Sequence, residues 1–158
     1  PAGRCHLRRL PHGNFSGRIN VGNQRLTMKA VCAVGDIRKI TKTVTEADLA
    51  TFETGNVHPF YATFSLGRDV EWACRQFVLD MKEADEEGIG TFLNITHKSP
   101  ALLGDEVEIM ATLTELHGNT VNCSFVVTIA DRLVAEGTQG QKILKREKLD
   151  RLIDQIRA

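Results

Sequence analysis

Polar and apolar residues alternate along four segments in the second half of the chain, at residues 90–99, 105–116, 119–130 and 132–145. In the third segment, Val121, Cys123 and Phe125 are separated by single polar residues. A period of two is typical of strands that bury one face. Because short turns separate the last three segments, we expect these strands to form an antiparallel meander.

A longer period marks residues 65–88, whose sequence is SLGRDVEWACRQFVLDMKEADEEG. Apolar residues recur there every three or four positions over about four turns, which predicts one amphipathic helix. The apolar stripe contains Leu66, Val70, Ala73, Cys74, Phe77, Val78 and Met81. The acidic end of the segment, KEADEEG, is expected to leave the helix as a solvent-exposed connection.

Weaker patterns flank these elements. Residues 36–45 are rich in β-branched residues and predict a strand. The TEAD motif that begins at Thr45 is a capping box and predicts a short helix through about Phe52, ended by Gly55. The last residues, REKLDRLIDQIRA, predict a terminal amphipathic helix. Its apolar residues are Leu149, Leu152, Ile153 and Ile156. The simplest packing of these elements is an α+β domain with an antiparallel sheet wrapped around the long helix.

The composition of the chain argues against several classes of binding partner. The 158 residues include 20 basic and 20 acidic side chains, so the chain has no net charge that would favour nucleic acid. No apolar run approaches the roughly 20 residues that span a bilayer, and no membrane partner is expected. The four cysteines lack the spacing of a zinc site, so no metal is expected either. These features favour a reduced, cytoplasmic protein.

The N-terminal segment differs from the rest of the chain. Residues 1–34 contain six of the basic residues and no Asp or Glu, and they lack a sustained hydrophobic period. We expect a flexible or processed segment that is dispensable for folding, followed by one domain at residues 35–158. A transit-type segment would instead place the protein in mitochondria, and sequence upstream of a start at Met28 is a further alternative.

Three polar residues stand at positions suited to chemistry. Thr63 lies just ahead of the long helix, as an N-cap or as a hydroxyl in the field of the helix N-terminus. Such a hydroxyl can be a nucleophile, donate to an oxyanion or position an attacking water, and the sequence does not decide between a covalent acyl-threonine and direct hydrolysis. Glu71 borders the apolar stripe, as an i,i+4 partner of Arg75 or as a carboxylate that orients a histidine or activates water. His97 ends a core strand three residues before Pro100, as a structural histidine or a general acid/base.

Three motifs that contain these residues resemble a known family. They are YATFSL at 61–66, EWAC at 71–74 and GTFLNITHKSP at 90–100. Their letters and their spacing are similar to those of the fluoroacetyl-CoA thioesterase type of the hotdog thioesterase superfamily. The resemblance implies a hotdog fold over roughly residues 35–148. It also implies hydrolysis of a small or medium acyl-CoA to the free acid and CoA.

Matched motif by motif, the family assigns roles to residues of this chain. The implied catalytic residues are Thr63, Glu71 and His97. The implied substrate-binding residues are Gly90, whose backbone would lie against the substrate, and Gln141. Phe60 or Phe64 could shape the acyl pocket. The sequence departs from the family at Gln141, where the family has an arginine. It departs again at ETGNVHPF, which lacks the family's phenylalanine-rich pattern.

The family also implies what the site binds. CoA enters as part of the substrate, so no separate cofactor is expected. Pairing of an open sheet edge with a second copy would give a homodimer, or a dimer of dimers. Two other functions are compatible with the residues: a non-catalytic acyl-CoA-binding hotdog module and an (R)-specific enoyl-CoA hydratase. ETGNVHPFY is similar to the hydratase signature T-G-D-x-N-P-x-H, but Asn56 stands at the catalytic Asp position and His58 precedes Pro59.

Overall fold

The computed structural model describes residues 28–158, and the expectations for residues 1–27 lie outside the described part of the chain. In chain order the elements are β1 (Ile37–Thr43), β2 (Leu49–Phe52), β3 (Gly55–Tyr61), α1 (Thr63–Met81), β4 (Glu86–His97), β5 (Glu106–His117), β6 (Thr120–Ile129), β7 (Arg132–Lys145) and α2 (Arg146–Arg157). Five strands form one antiparallel sheet in the order β1-β5-β6-β7-β4, and β2 and β3 form a separate two-stranded sheet.

Helix α1 packs against one face of the five-stranded sheet and forms the centre of the core. Every residue of the predicted apolar stripe, from Leu66 to Met81, is buried. On β6, Val121, Cys123 and Phe125 are buried, whereas the residues between them are only partly buried. The helical period and the strand period therefore describe the two faces of a single core, and both predictions are confirmed.

Strand β4 begins at Glu86, within the segment predicted to be a solvent-exposed connection, so that prediction is wrong. Glu86 is fully buried and forms an ion pair with Lys145 at 3.1 Å. Glu87 forms an ion pair with Arg75 at 2.6 Å. Acidic residues that look solvated in the sequence are neutralised here by basic side chains from distant segments. As a result β4 extends across the full height of the sheet and stands at its edge.

The predicted short helix after β1 is wrong beyond its first turn. The Thr45 capping box forms, but it leads only to a 3-10 turn at Glu46–Asp48. Leu49–Phe52 is strand β2, which pairs antiparallel with β3. Gly55 begins the return strand with a φ of 101°, in the left-handed region that favours glycine. The local cap therefore starts the turn, but pairing with β3 determines the conformation of residues 49–52.

The first described residues and the start of α2 both lie near the C-terminal end of α1. The Lys29 N–H donates to the Met81 carbonyl at 2.8 Å, so part of residues 1–34 contacts the domain. The Arg146 N–H, at the start of α2, donates to the Asp85 carbonyl at 2.9 Å. The predicted terminal helix forms, but none of its residues is buried. No helix of the described chain is long and apolar enough to cross a membrane.

Candidate active site

Thr63 and His97 meet at the N-terminal end of α1. The Thr63 hydroxyl oxygen lies 3.0 Å from His97 Nε2, and the tautomer of the imidazole decides which group donates. Thr63 is the first residue of the helix, Ala62 is the N-cap, and no side chain caps the helix. The N-cap interpretation of Thr63 is therefore wrong. Its hydroxyl is committed to the histidine instead.

Backbone hydrogen bonds fix the chain just before Thr63. The Tyr61 N–H donates to the Ala101 carbonyl at 2.9 Å, and the Ala62 N–H donates to the Asp48 carbonyl at 2.8 Å. The first bond ties the helix entry to the loop after β4, and the second ties it to the turn before β2. Since His97 is the last residue of β4, both members of the pair are held by the same corner of the fold.

A set of charged and polar side chains, here called the anchor cluster, stabilises this corner. Its members are Lys42, Asp48, Arg68, Asp69 and Tyr61. Asp48 is 1% exposed, accepts a hydrogen bond from Arg68 at 2.8 Å and forms an ion pair with Lys42 at 3.0 Å. Burial disfavours ionisation of this carboxyl, but hydrogen bonds from Thr45, Lys42 and Arg68 outweigh burial and hold the pKa of Asp48 well below its usual range.

Tyr61 links the anchor cluster to the helix entry. Its hydroxyl donates to Asp69 Oδ2 at 2.6 Å, and Arg68 Nε donates to Asp69 Oδ1 at 2.9 Å. Burial, the hydrogen bond to Asp69 and the neighbouring carboxylates raise the pKa of Tyr61 far above its ordinary value. The phenol therefore stays a hydrogen-bond donor at all ordinary pH values, and it fixes the position of Thr63 two residues later.

Glu71 lies on α1 two turns beyond Thr63, roughly 12 Å along the helix axis. Its carboxylate approaches β4 at Gly90, where an added Cβ would lie 2.8 Å from Glu71 Oε1, so a larger residue would displace the carboxylate. Arg75, the expected i,i+4 partner, donates to Glu87 instead, at 2.6 Å. Within the described residues, the Glu71 carboxylate has no hydrogen-bond or ion-pair partner.

A cavity of about 390 Å³, here called the apolar cavity, lies beside the Thr63–His97 pair. Its apolar wall is formed by Phe60, Tyr61, Leu66, Pro100, Ala101 and Val134. The polar side chains His58, Lys98 and Ser99 also line it. A cavity of this volume and composition is typical of small-ligand sites.

A second depression of about 540 Å³, here called the edge groove, runs between α1 and β4. Thr63 and Glu71 both line it, together with Phe64 and Leu93. Phe64 is 53% exposed and packs edge-on against Phe52, with the ring centroids 6.2 Å apart. Because Thr63 lines the apolar cavity as well, the Thr63–His97 pair stands where the two depressions meet.

Gln141 is a predicted substrate-binding residue that the structure places away from both depressions. It is 1% exposed, it is paired in register with Gly90, and its Nε2 donates to Gln139 at 3.2 Å. The alternation of β7 puts this side chain on the helix-facing side of the sheet. In the described chain Gln141 has no route to a ligand, and its role in substrate binding stays a prediction.

Two features of the site were not predicted. One is the anchor cluster, because Asp48 and Asp69 become buried only when three segments that are distant in sequence pack together. The other is His58 on the wall of the apolar cavity, which the sequence marks only through its place in the hydratase-like motif. The capping box at Thr45 was a partial signal for Asp48, since that carboxylate completes the box.

The arrangement is suited to attack on a carbonyl group. A hydroxyl at hydrogen-bond distance from an imidazole is a nucleophile paired with a base. The first N–H groups of α1 have no partners inside the helix, and no acidic residue in the first turn offsets their field. Such N–H groups can stabilise an oxyanion that forms beside Thr63. Glu71 lines the edge groove, and a carboxylate there can accept a proton.

Comparisons with known proteins agree on one family. The sequence profile of the fluoroacetyl-CoA-specific thioesterase family matches residues 44–147. A thioesterase-superfamily protein of Thermus thermophilus is 30% identical, with a TM-score of 0.75, and the match covers 79% of this chain and 93% of that chain. No curated protein sequence is significantly similar to this chain.

More distant structures share the fold. A mutant of the fluoroacetyl-CoA-specific thioesterase FlK is 20% identical, with a TM-score of 0.73 over 80% of this chain and 98% of that chain. A hot-dog-like protein from Thermanaerovibrio acidaminovorans is 21% identical, with a TM-score of 0.70 over 77% of this chain and 90% of that chain. The predicted hotdog fold is therefore confirmed.

Proposed function

The chain belongs to the fluoroacetyl-CoA-specific thioesterase family and hydrolyses acyl-CoA thioesters, and we propose that Thr63, Glu71 and His97 carry out this reaction. One observation carries the proposal: the Thr63 hydroxyl lies 3.0 Å from His97 Nε2. An imidazole at that distance can accept the hydroxyl proton during attack, which is the arrangement of an activated nucleophile. A non-catalytic binding module would need neither group.

In the first step, Thr63 Oγ1 attacks the thioester carbonyl carbon while His97 Nε2 takes the hydroxyl proton. The carbonyl oxygen becomes an oxyanion beside the first N–H groups of α1. The carbon–sulfur bond then breaks, and CoA leaves as a thiolate that takes a proton from solvent. The products of this step are an ester of the acyl group with Thr63 and a protonated His97.

In the second step, water attacks the acyl-threonine ester and gives one proton to Glu71. His97 returns its proton to Thr63 Oγ1 as the ester bond breaks, and Glu71 later releases its proton to solvent. The position of Glu71 supports this role over orientation of the histidine, because the described residues include no contact between Glu71 and His97. Since roughly 12 Å separate Thr63 and Glu71 along the helix axis, a chain of water molecules in the edge groove would carry the proton from the attacking water to Glu71.

Each depression would bind a different part of the substrate. The apolar cavity, at about 390 Å³, suits a small or medium acyl group. The edge groove reaches the protein surface and suits the pantetheine arm of CoA. Among the similar proteins, a mutant of FlK has been crystallised in complex with fluoroacetate and CoA. Here the thioester carbonyl would lie where the two depressions meet, at Thr63.

A homodimer would complete this site. Strand β4 stands at one edge of the sheet, and large apolar side chains are exposed on it and on α1. They are Phe64, Trp72, Ile89, Phe92 and Leu93. An open edge with exposed apolar residues is a site of association with another strand. Pairing of β4 with β4 of a second copy would cover these residues and close the edge groove. A dimer in light scattering supports this arrangement, and a monomer at micromolar concentration contradicts it.

The test of the proposed reaction is release of free thiol from a panel of acyl-CoAs, together with mass spectrometry of acid-quenched protein. We expect Glu71→Gln, which slows the second step, to accumulate an acyl group on the peptide that contains Thr63. The matched control is Thr63→Ser in the Glu71→Gln background, which keeps the hydroxyl and should accumulate the same adduct. Thiol release without an adduct in either protein would contradict the covalent route.

A further inference from the structure

The polar side chains of the apolar cavity differ in whether they already have a hydrogen-bond or ion-pair partner in the protein. Lys98 Nζ forms an ion pair with Glu136 at 2.9 Å. Ser99 Oγ donates to the Leu133 carbonyl at 2.6 Å. The hydroxyl of Tyr61 donates to Asp69, and Thr63 and His97 contact each other. His58 alone, of the cavity's polar side chains, has no hydrogen-bond partner within residues 28–158.

The His58 side chain is exposed, and its contact with the protein is a ring contact with Phe60. His58 lies on β3, opposite Ala50 in the hairpin. Its ring packs on Phe60, with the ring centroids 4.8 Å apart and the planes 36° apart. Both rings line the apolar cavity. The imidazole is solvent-exposed, so it offers an N–H donor at the rim of the cavity, beside a wall that is otherwise apolar or already satisfied.

We propose that His58 binds an oxygen atom on the acyl chain, so that the preferred substrates are hydroxyacyl- or oxoacyl-CoA thioesters and not plain alkyl ones. This inference rests on the proposed function, in which the apolar cavity receives the acyl group. A hydroxyl or keto oxygen that enters an apolar cavity loses its water and needs a protein donor. A plain alkyl chain of the same length would displace water from the exposed His58 N–H and offer no acceptor in its place.

The other polar side chains argue against a carboxylate on the acyl chain. Recognition of a carboxylate needs an unpaired cation, and the cavity's lysine, Lys98, is already paired with Glu136. A neutral oxygen needs only one donor. His58 is therefore a specificity-determining residue, which acts by contact with the acyl chain and takes no part in proton transfer at the thioester.

The experiment compares acyl groups that share one carbon skeleton. We would measure kcat/KM for butyryl-CoA, 2-hydroxybutyryl-CoA and 3-hydroxybutyryl-CoA by thiol release. One neutral hydrogen bond predicts a preference of about three- to tenfold for the better hydroxyacyl substrate over butyryl-CoA. His58→Leu should reduce this ratio to about one, and His58→Gln, which keeps an N–H donor, should retain part of it. His117→Leu, at the exposed end of β5, should leave the ratio as it is.

Binding separates failure of this inference from failure of the proposed reaction. In the Thr63→Ala background, calorimetry gives the dissociation constants of the same three thioesters without turnover. A hydroxyacyl preference that His58→Leu removes supports the inference even where the proposed residues prove not to catalyse hydrolysis. Equal dissociation constants, or a preference that survives His58→Leu, overturn it even where hydrolysis proceeds as proposed. Hydration of crotonyl-CoA by the wild-type protein, lost in His58→Leu, would also overturn it, because His58 would then be an acid/base residue.

Discussion

The carboxylates on the two flanks of α1 differ in whether basic side chains pair with them. On the flank that faces the β2–β3 hairpin, here called the anchored flank, Asp48 and Asp69 are paired with Lys42 and Arg68. On the flank that faces β4, here called the open flank, the Glu71 carboxylate has no partner within the described residues. The same helix therefore borders one set of charges that are fully satisfied and one charge that is not.

This difference in pairing suggests that the anchored flank contributes to stability and the open flank to function. Paired carboxylates on the anchored flank fix the chain that carries Thr63, and they contribute to folding only through each other. An unpaired carboxylate beside an apolar helix face lowers stability, and in the proposed reaction this carboxylate acts as a base. We therefore expect substitutions on the open flank to reduce activity with little effect on stability, and substitutions on the anchored flank to do the reverse.

The largest expected effect is on activity. His97→Ala removes the base that pairs with Thr63 and should lower kcat by about 10²–10⁴-fold. The melting temperature should stay within a few degrees, because the His97 side chain makes no hydrogen bond within the described residues except to Thr63. Acyl-CoA hydrolysis and circular dichroism measure the two quantities. His117→Ala, at the exposed end of β5, is the matched control. Wild-type activity in His97→Ala would remove His97 from the mechanism.

Glu71→Gln tests the open flank alone. Loss of the second base should lower kcat by about 10²-fold, and the free energy of unfolding should hold or rise because an unpaired charge is removed. Glu87→Gln is the paired counterpart, since Glu87 binds both Arg75 and Arg146. It should lower stability and spare activity. Urea unfolding and thiol release that give the two variants the same profile would contradict the contrast between the flanks.

Asp48→Asn tests the anchored flank. Removal of one charged member of the ion cluster should lower the free energy of unfolding by about 3 kcal/mol, since Lys42 and Arg68 then keep only Asp69 as a shared carboxylate partner. Activity of the folded protein should fall far less than in His97→Ala. Glu108→Gln breaks an exposed ion pair with Lys39 and should cost less than about 1 kcal/mol. Equal losses of stability in the two variants would show that the anchor cluster has no special role.

A smaller effect is expected on the stability of the protein at low pH. The pKa of Asp48 is lower in the folded protein than its ordinary value of about 3.9, so its ionised form stabilises the fold above that pH. This contribution is lost progressively as the pH falls below about 4. The difference in unfolding free energy between wild type and Asp48→Asn should therefore be constant from pH 5 to 7 and shrink at lower pH. Urea unfolding across this range that gives a constant difference down to the acid transition would contradict the assignment.

The sequence predicted the fold well where one pattern dominates a whole element. The stripe from Leu66 to Met81 and the alternation in β6 are periodic over many residues, and they are confirmed. The extension of β4 to Glu86 was missed because its acidic residues look solvated until Lys145 pairs with Glu86 and Arg75 pairs with Glu87. The β2 strand was missed because its partner, β3, lies beyond a turn that the capping box alone does not specify.

Only part of the site was predictable from the sequence, because residues that are distant in sequence form it. Thr63 and His97 are 34 residues apart, so no local pattern places them together, and only the resemblance to a family did so. The same resemblance named Gln141, where its position in the motif says nothing about burial. His58 was missed as a cavity residue because its surroundings come from the hairpin and from the loop after β4, which meet only in the folded protein.

A double-mutant cycle on Thr63 and His97 tests the central claim most directly. If the two residues act as one nucleophile–base unit, their losses cannot add. We predict that Thr63→Ala and His97→Ala each lower kcat/KM for the best acyl-CoA by about 10²–10⁴-fold, and that the double variant is at most a few-fold worse than the weaker single variant. Losses that multiply in the double variant would show that the two residues act independently and would contradict the account.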